Sequence, residues 1–192
     1  MTNKEHMTRC FFALPAHGVQ EALGPVYGDL NRFSRALKTV EPENYHITLK
    51  FLGVTGESAL ARLRDDFRAL DPGVRAIPFT LHGLGAFPDV RRARVVWCGL
   101  DLDRAVVERV RLLIENLADK HGFRKEARPF QPHLTLARVK KEMRLPPECA
   151  EFVTARKDTV FGKSAFDRIV LFKSELRKEG PLYTVLEEKV LS

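Results

Sequence analysis

Two triplets in this chain could carry chemistry. His46-Ile47-Thr48 and His133-Leu134-Thr135 lie 87 residues apart, each followed by leucine and each preceded by a proline-containing lead-in, EPENY and FQP. Side chains of an extended strand alternate faces. His46 and Thr48 therefore share one face, with Ile47 and Leu49 on the other. His133 and Thr135 repeat this, backed by Leu134 and Leu136. An imidazole with an ordinary pKa of about 6.5 can act as base in one copy and acid in the other near neutrality. A hydroxyl can donate to an anionic oxygen without adding charge. Two such pairs around one centre suit in-line displacement at phosphorus. One imidazole takes a proton from the nucleophile, the other protonates the leaving oxygen, and the hydroxyls hold the non-bridging oxygens. Such assistance is commonly worth ~10²–10⁴-fold, and it calls for no metal.

One His-x-Thr alone reads most simply as an ordinary hydrogen-bonded strand histidine; the matched second copy is what favours a site. Other chemistries find less support. Two histidines without a closely spaced third ligand make a poor zinc site. There is no G-x-S-x-G for a serine hydrolase. The glycine-rich loops G-x-G-x-x-G and G-x-x-x-x-G-K-[ST] are absent, as is the K-x-D-G lysine of nucleotidyl-transferring ligases.

The elements that must position these residues are legible in outline. RCFFAL (9–14) reads as a buried strand stopped by Pro15. Residues 17–37 have loose helical spacing, with a break expected at Gly24-Pro25. YHITLKFLG (45–53) is a strand. Residues 57–70 place Leu60, Leu63, Phe67 and Leu70 at helical spacing. FTLHGL (79–84) and ARVVWCGL (93–100) are strands around the loop GAFPDVRR. Residues 103–121 form the clearest helix, striped by Val106, Val107, Val110, Leu113, Ile114 and Leu117. Residues 133–139, 166–176 and 183–190 are strand-like. Consecutive strands outnumber helices, which favours an α+β architecture over a doubly wound parallel sheet. The duplicated motif strand suggests two similar halves around a central cleft, a closed pair rather than a solenoid.

Composition sets the outer limits. The 192 residues are 44% hydrophobic and 30% charged, an ordinary globular balance sufficient for one domain or two small halves packed as one unit. No apolar run approaches the ~20 residues of a membrane span, and the polar opening MTNKEHMTR is not a secretory signal. Three widely spaced cysteines exclude a disulfide framework and fit a reducing, cytoplasmic setting. A net charge of +7 fits a solubilising surface and a polyanionic partner equally well.

At the motif residues the chain resembles a known family. PENYHITLKFLG and RPFQPHLTLAR are similar to the paired motifs of the RNA 2′,3′-cyclic phosphodiesterases, also called 2′-5′ RNA ligase-like proteins, of the two-histidine (2H) phosphoesterase superfamily. RCFFALP, LHGLGAFPDVRRARVVWCGL and LFKSELRKEGPLYTVL extend the likeness over nearly the whole chain. The resemblance implies one bilobal α+β domain over 1–192. It would have two pseudo-symmetric lobes of antiparallel sheet, outer helices, a central cleft and one HxT motif per lobe. It implies that RNA terminal or nucleoside 2′,3′-cyclic phosphates are hydrolysed to 2′-phosphates without cofactor or metal, by a cytoplasmic monomer. His46 resembles the general acid that protonates the departing 3′ oxygen, and His133 the general base that activates water. The motif's own symmetry leaves that order open on the residues alone. Thr48 and Thr135 resemble phosphate-holding hydroxyls, and Arg138 a phosphate-contacting arginine.

Strict alternation would put Arg138 on the apolar face, so it is expected past the regular strand or at a bulge. Phe51 matches a position that can line the base pocket, although alternation would equally send it into the core. Where the family often has an aromatic-basic pair before the first motif, this chain has Lys38-Thr39, a difference expected at the rim of the site. Arg91, Arg92 and Arg94, then Arg124, Lys125 and Arg128, then Lys140 and Lys141 are basic clusters placed to steer an RNA end. Trp97 is expected in the core. Competing readings are the same chemistry on another cyclic phosphate such as an ADP-ribose derivative, an ATP-independent 2′-5′ joining side reaction, and a non-catalytic RNA-binding module.

Overall fold

The computed structural model describes residues 7–127, 129–177 and 180–192. In chain order the elements are β1 (Met7–Pro15), α1 (Gln20–Asn31), β2 (Leu37–Thr39), β3 (His46–Gly56), α2 (Glu57–Ala69), β4 (Ile77–Phe87), β5 (Val95–Leu102), α3 (Arg104–Lys120), β6 (His133–Val139), α4 (Pro147–Ala155), β7 (Val160–Phe166), β8 (Arg168–Leu176) and β9 (Pro181–Val190). They build two antiparallel sheets, a four-stranded one in the order β3-β1-β8-β9 and a five-stranded one in the order β2-β6-β5-β4-β7. The α+β class is as expected.

The two striped helices bury most of the stripe that their sequences carry. In α2, Leu60, Leu63 and Phe67 are buried, and Phe67 meets Phe12 of β1 edge-on with ring centres 4.9 Å apart. In α3, Val107, Val110, Ile114 and Leu117 are buried, and Asp103 caps the first turn by accepting from the amides of Ala105 (2.9 Å) and Val106 (3.2 Å). These two helices pack on the four-stranded sheet, α2 against β3 and β9 and α3 against β3, while α1 and α4 pack on the five-stranded one. Both layers are thus covered from outside, leaving their other faces for the cleft.

Two local readings are corrected. The helix at 20–31 is unbroken at Gly24-Pro25. Proline there forfeits one backbone bond, and burial of Leu23, Val26 and Leu30 on the same face offsets that loss. The short strand β2 and the pair α4 and β7 escaped the sequence pattern. Only Cys149 and Val153 are buried in α4, and only Phe166 in β7, so neither carries a clear period. The sheets also mix the two halves of the chain: β1, which carries β3 on one edge, pairs on its other edge with the C-terminal β8, and β8 carries β9.

Candidate active site

β3 and β6 bring their motifs to one cleft. It encloses about 1040 Å³ and is lined by both histidines, both threonines, Phe51 and Arg138. The backs of the strands are anchored as alternation requires, with Ile47, Leu49, Leu134 and Leu136 buried. Both imidazoles are held alike. Nδ1 of His46 lies 2.7 Å from the Asn44 carbonyl oxygen, and Nδ1 of His133 lies 2.7 Å from that of Gln131. A carbonyl can only accept, so each Nδ1 carries the proton and donates it, which leaves Nε2 as the nitrogen free to exchange protons. The lead-ins before each triplet supply these carbonyls two residues upstream.

Bulges decide what else reaches the cleft. Across β5, Val96 pairs with Ala137 and Trp97 with Thr135, so Leu136 is an extra residue. Leu136 and Ala137 are then both buried, and Arg138 emerges on the face of His133 and Thr135. β3 does the same against β1. Phe12 pairs with Lys50 and Ala13 with Thr48, which makes Leu49 the extra residue and turns Phe51 outward, 64% exposed. Strict alternation is overturned at both positions, and the core reading of Phe51 with it.

The surroundings of the two histidines differ. His46 sits among aromatic rings: Phe11 at 5.1 Å, Tyr183 edge-on at 5.5 Å and Phe172 at 6.4 Å between centres. His133 meets Phe87 edge-on at 4.9 Å and Trp97 at 6.4 Å. Burial among these rings pushes the His46 pKa down to about 4 against the help of the Asn44 carbonyl, and Arg138 and His133 lower it further. Burial also lowers His133, opposed by the Gln131 carbonyl and reinforced by Arg138. Both rings are neutral at pH 7 in the free cleft. Arg138 lines the cleft and forms no ion pair with an acidic side chain among the described residues; its planar fork suits an anion.

Several expectations are redrawn. Trp97 is half-buried, not core. It pairs with Thr135 across the ladder, and its ring covers Gly85 of β4, where a Cβ would run into it. It backs His133. Arg124 and Lys125 line the cleft, as do Lys38 and Thr39 of the short β2, whereas Arg91, Arg92 and Arg94 do not. Arg92 is held by Asp89 at 2.8 Å, and Lys140 is spent on the Ser34 carbonyl at 2.7 Å. Arg128 lies outside the described residues. Phe11, Phe87, Tyr183, Arg9 and Arg177 also line the cleft and were missed. Phe11 reads locally as one more residue of a buried strand, and nothing local marks the others. Among the described residues no group of three or more His, Cys, Asp or Glu is arranged to hold a metal ion. The three cysteines are free and buried, and no described helix is long and apolar enough to cross a membrane.

A pair of tautomerically matched imidazoles, each with a hydroxyl on its strand, facing one cleft in a two-sheet α+β frame is the arrangement of the two-histidine phosphoesterases. Comparison with known proteins places the chain more closely. The model of the LigT-like phosphoesterases matches it twice, over residues 14–97 and 100–183. The chain belongs to that family. Among its relatives, the RNA 2′,3′-cyclic phosphodiesterase of Aeropyrum pernix is 36% identical over 152 residues, 79% of this chain and 85% of the relative. That of Methanothermobacter thermautotrophicus is 34% identical over 93% of this chain and 96% of the relative. The fold is that of E. coli LigT crystallised with 3′-AMP, with a TM-score of 0.74, 23% identity and coverage of 97% of this chain and 99% of that one. It also matches a protein of Thermus thermophilus, with a TM-score of 0.70, 29% identity and coverage of 95% and 97%.

Proposed function

We propose that this protein hydrolyses RNA terminal or nucleoside 2′,3′-cyclic phosphates to 2′-phosphates by metal-independent acid–base catalysis between His46 and His133. The observation that carries the reading is the pair of Nδ1 hydrogen bonds to backbone carbonyls, which leaves Nε2 of each ring to serve one cleft. The family and the relatives named RNA 2′,3′-cyclic phosphodiesterase support the substrate class. In this reading one Nε2 accepts the proton of the attacking water as it adds to phosphorus. The bond to the 3′ oxygen breaks, and the other Nε2–H protonates that oxygen. His133 serves as base and His46 as acid. Thr48 and Thr135 donate to the non-bridging oxygens, Arg138 offsets their charge, and Phe51 stacks on the base.

Both imidazoles are neutral in the empty cleft, so the acid must gain its proton with the substrate. The phosphodiester anion favours the imidazolium and raises the acid's pKa on binding. The chain acts as one bilobal unit over 1–192 with one motif per lobe, a view supported by sheets that draw strands from both halves. A monomer in the cytoplasm is part of the same proposal, the latter supported by three free cysteines.

The test is hydrolysis of an oligonucleotide ending in a 2′,3′-cyclic phosphate, in excess EDTA, by wild type, His46→Ala and His133→Ala. Metal-independent turnover to a 2′-phosphate is expected, reduced at least ~10²-fold in each variant. Unimpaired variants, or activity abolished by EDTA, would sink the mechanism.

A further inference from the structure

One charged side chain of the first motif strand takes no part in that chemistry. Lys50 follows the bulge of β3, and its ammonium is buried against Glu115 of α3 at 2.8 Å, the two side chains 3% and 2% exposed. The equivalent place after the bulge of β6 is the buried Ala137. A buried ion pair gains little net stability, because desolvating two charges offsets most of their attraction. Packing alone would be served by an apolar residue there, as it is in β6. The lysine therefore needs another consequence.

Its hydrogen bonds show one. Lys50 also donates to the backbone carbonyl of Arg124. Glu115 accepts from Arg111 at 3.4 Å, and Arg111 is clamped by Glu108 at 2.9 and 2.6 Å. The Arg111 guanidinium lies over the ring of Phe130, 5.7 Å from its centre. Arg124 and Phe130 both lie in the connection between α3 and β6. The next residue after Phe130 is Gln131, whose carbonyl takes the Nδ1 proton of His133. This network reaches from β3 through α3 to the stretch that sets the orientation of the other histidine and forms one wall of the cleft.

We propose that Lys50 is a positioning residue. Its bond to the Arg124 carbonyl, and its ion pair with Glu115 acting through Arg111 on Phe130, fix the neighbourhood of Gln131 so that Gln131 keeps His133 in its Nδ1–H tautomer. The first motif strand thereby orients the histidine of the second. The proposal rests on the role given to His133 above.

The decisive variant is Lys50→Met/Glu115→Leu, which removes both buried charges together and so avoids leaving a carboxylate unpaired. Its melting temperature is expected near that of wild type. Its kcat/KM on the cyclic-phosphate oligonucleotide is expected to fall roughly 10–10²-fold, the scale of a misplacement of about 1 Å. Nitrogen-15 NMR of the histidine rings is expected to show His133 exchanging between tautomers while His46 keeps one. A folded double variant with wild-type kcat/KM and a single His133 tautomer overturns the proposal. So does recovery of activity together with stability when the double variant is compared with Lys50→Met alone. If the double variant does not fold, Arg111→Leu tests the same network while keeping the Lys50–Glu115 pair. It is expected to loosen Phe130, raise KM at least fivefold and release the His133 tautomer, and no change in either readout overturns the idea. His133→Ala run in parallel separates the two claims. Wild-type turnover in that variant removes the catalytic reading, and the tautomer measurement still decides the positioning.

Discussion

Phe51 and Arg138 occupy equivalent places in the two motif strands. Each lies five residues after its histidine and is turned onto the cleft face by one extra residue, Leu49 in β3 and Leu136 in β6. The same backbone device thus presents an aromatic ring from one sheet and a guanidinium from the other. One suits a base and the other a phosphate, so the cleft is symmetric in its histidines and asymmetric in what flanks them.

That asymmetry separates two substitutions. Arg138→Lys keeps the charge but loses the planar fork, and kcat/KM is expected to drop about 10–10²-fold. Phe51→Ala is expected to raise KM for nucleotide substrates with little change in kcat, by roughly 5- to 100-fold if the ring stacks on one base. Both side chains are exposed, so melting temperatures are expected to stay within about 2 °C of wild type. Steady-state kinetics with thermal melts check both. An unchanged KM in Phe51→Ala rules out stacking.

Acid should weaken the fold through the histidines. His46 falls from 6.5 to about 4 in the folded protein, and His133 is lowered as well. Their stabilising contribution is fully present above about pH 6.5. As pH falls below that value the unfolded chain binds protons that the folded rings refuse, so stability declines toward pH 4. His46 alone accounts for about 3 kcal/mol of this. Urea unfolding at pH 7 and pH 4.5 should show the loss, reduced in His46→Asn.

Catalysis has its own pH signature. The acid is neutral in the free protein and gains its proton beside the substrate anion, so the alkaline limb of kcat should lie at higher pH than that of kcat/KM. Coincident limbs would show that substrate leaves the acid's pKa unmoved, against the proposed route of protonation.

The single tryptophan offers a direct reading of one histidine. Trp97 lies 6.4 Å from His133 and shares no ring contact with His46 among the described residues. A nearby imidazolium quenches indole emission. Fluorescence should therefore fall on acidification with a midpoint below 6.5, the direction in which His133 is shifted. The step should survive His46→Ala and vanish in His133→Ala.

Salt should distinguish an RNA end from a mononucleotide. Besides the ion-paired Lys50 and Arg111, Arg9, Lys38, Arg124, Lys125, Arg138 and Arg177 line the cleft, against one acidic residue among those described, Glu126. For an oligonucleotide, log(kcat/KM) should fall with log[salt] at a slope of about −0.7 per phosphate contacted. A nucleoside cyclic phosphate should give a shallower slope, and equal slopes would mean that one phosphate is all the cleft engages.

What the chain determines by itself is local. The His-x-Thr period of two, the apolar backs of both strands and the stripes of α2 and α3 were legible because they arise within a single element. So was the expectation that Arg138 required a bulge, since a parity conflict along one strand can be counted. What only the tertiary structure decided depends on a partner strand or helix. The bulges exist through pairing with β1 and β5. They settled Phe51, whose place in core or cleft was open on the residues alone. Trp97 stands beside His133 instead of in the core because Gly85, on the neighbouring strand, leaves room for its ring. Lys50 and Glu115 are 65 residues apart, and no periodicity joins them. Register and contact between distant segments follow from the packing of the whole chain, and that packing turned two similar strands into one cleft with unlike walls.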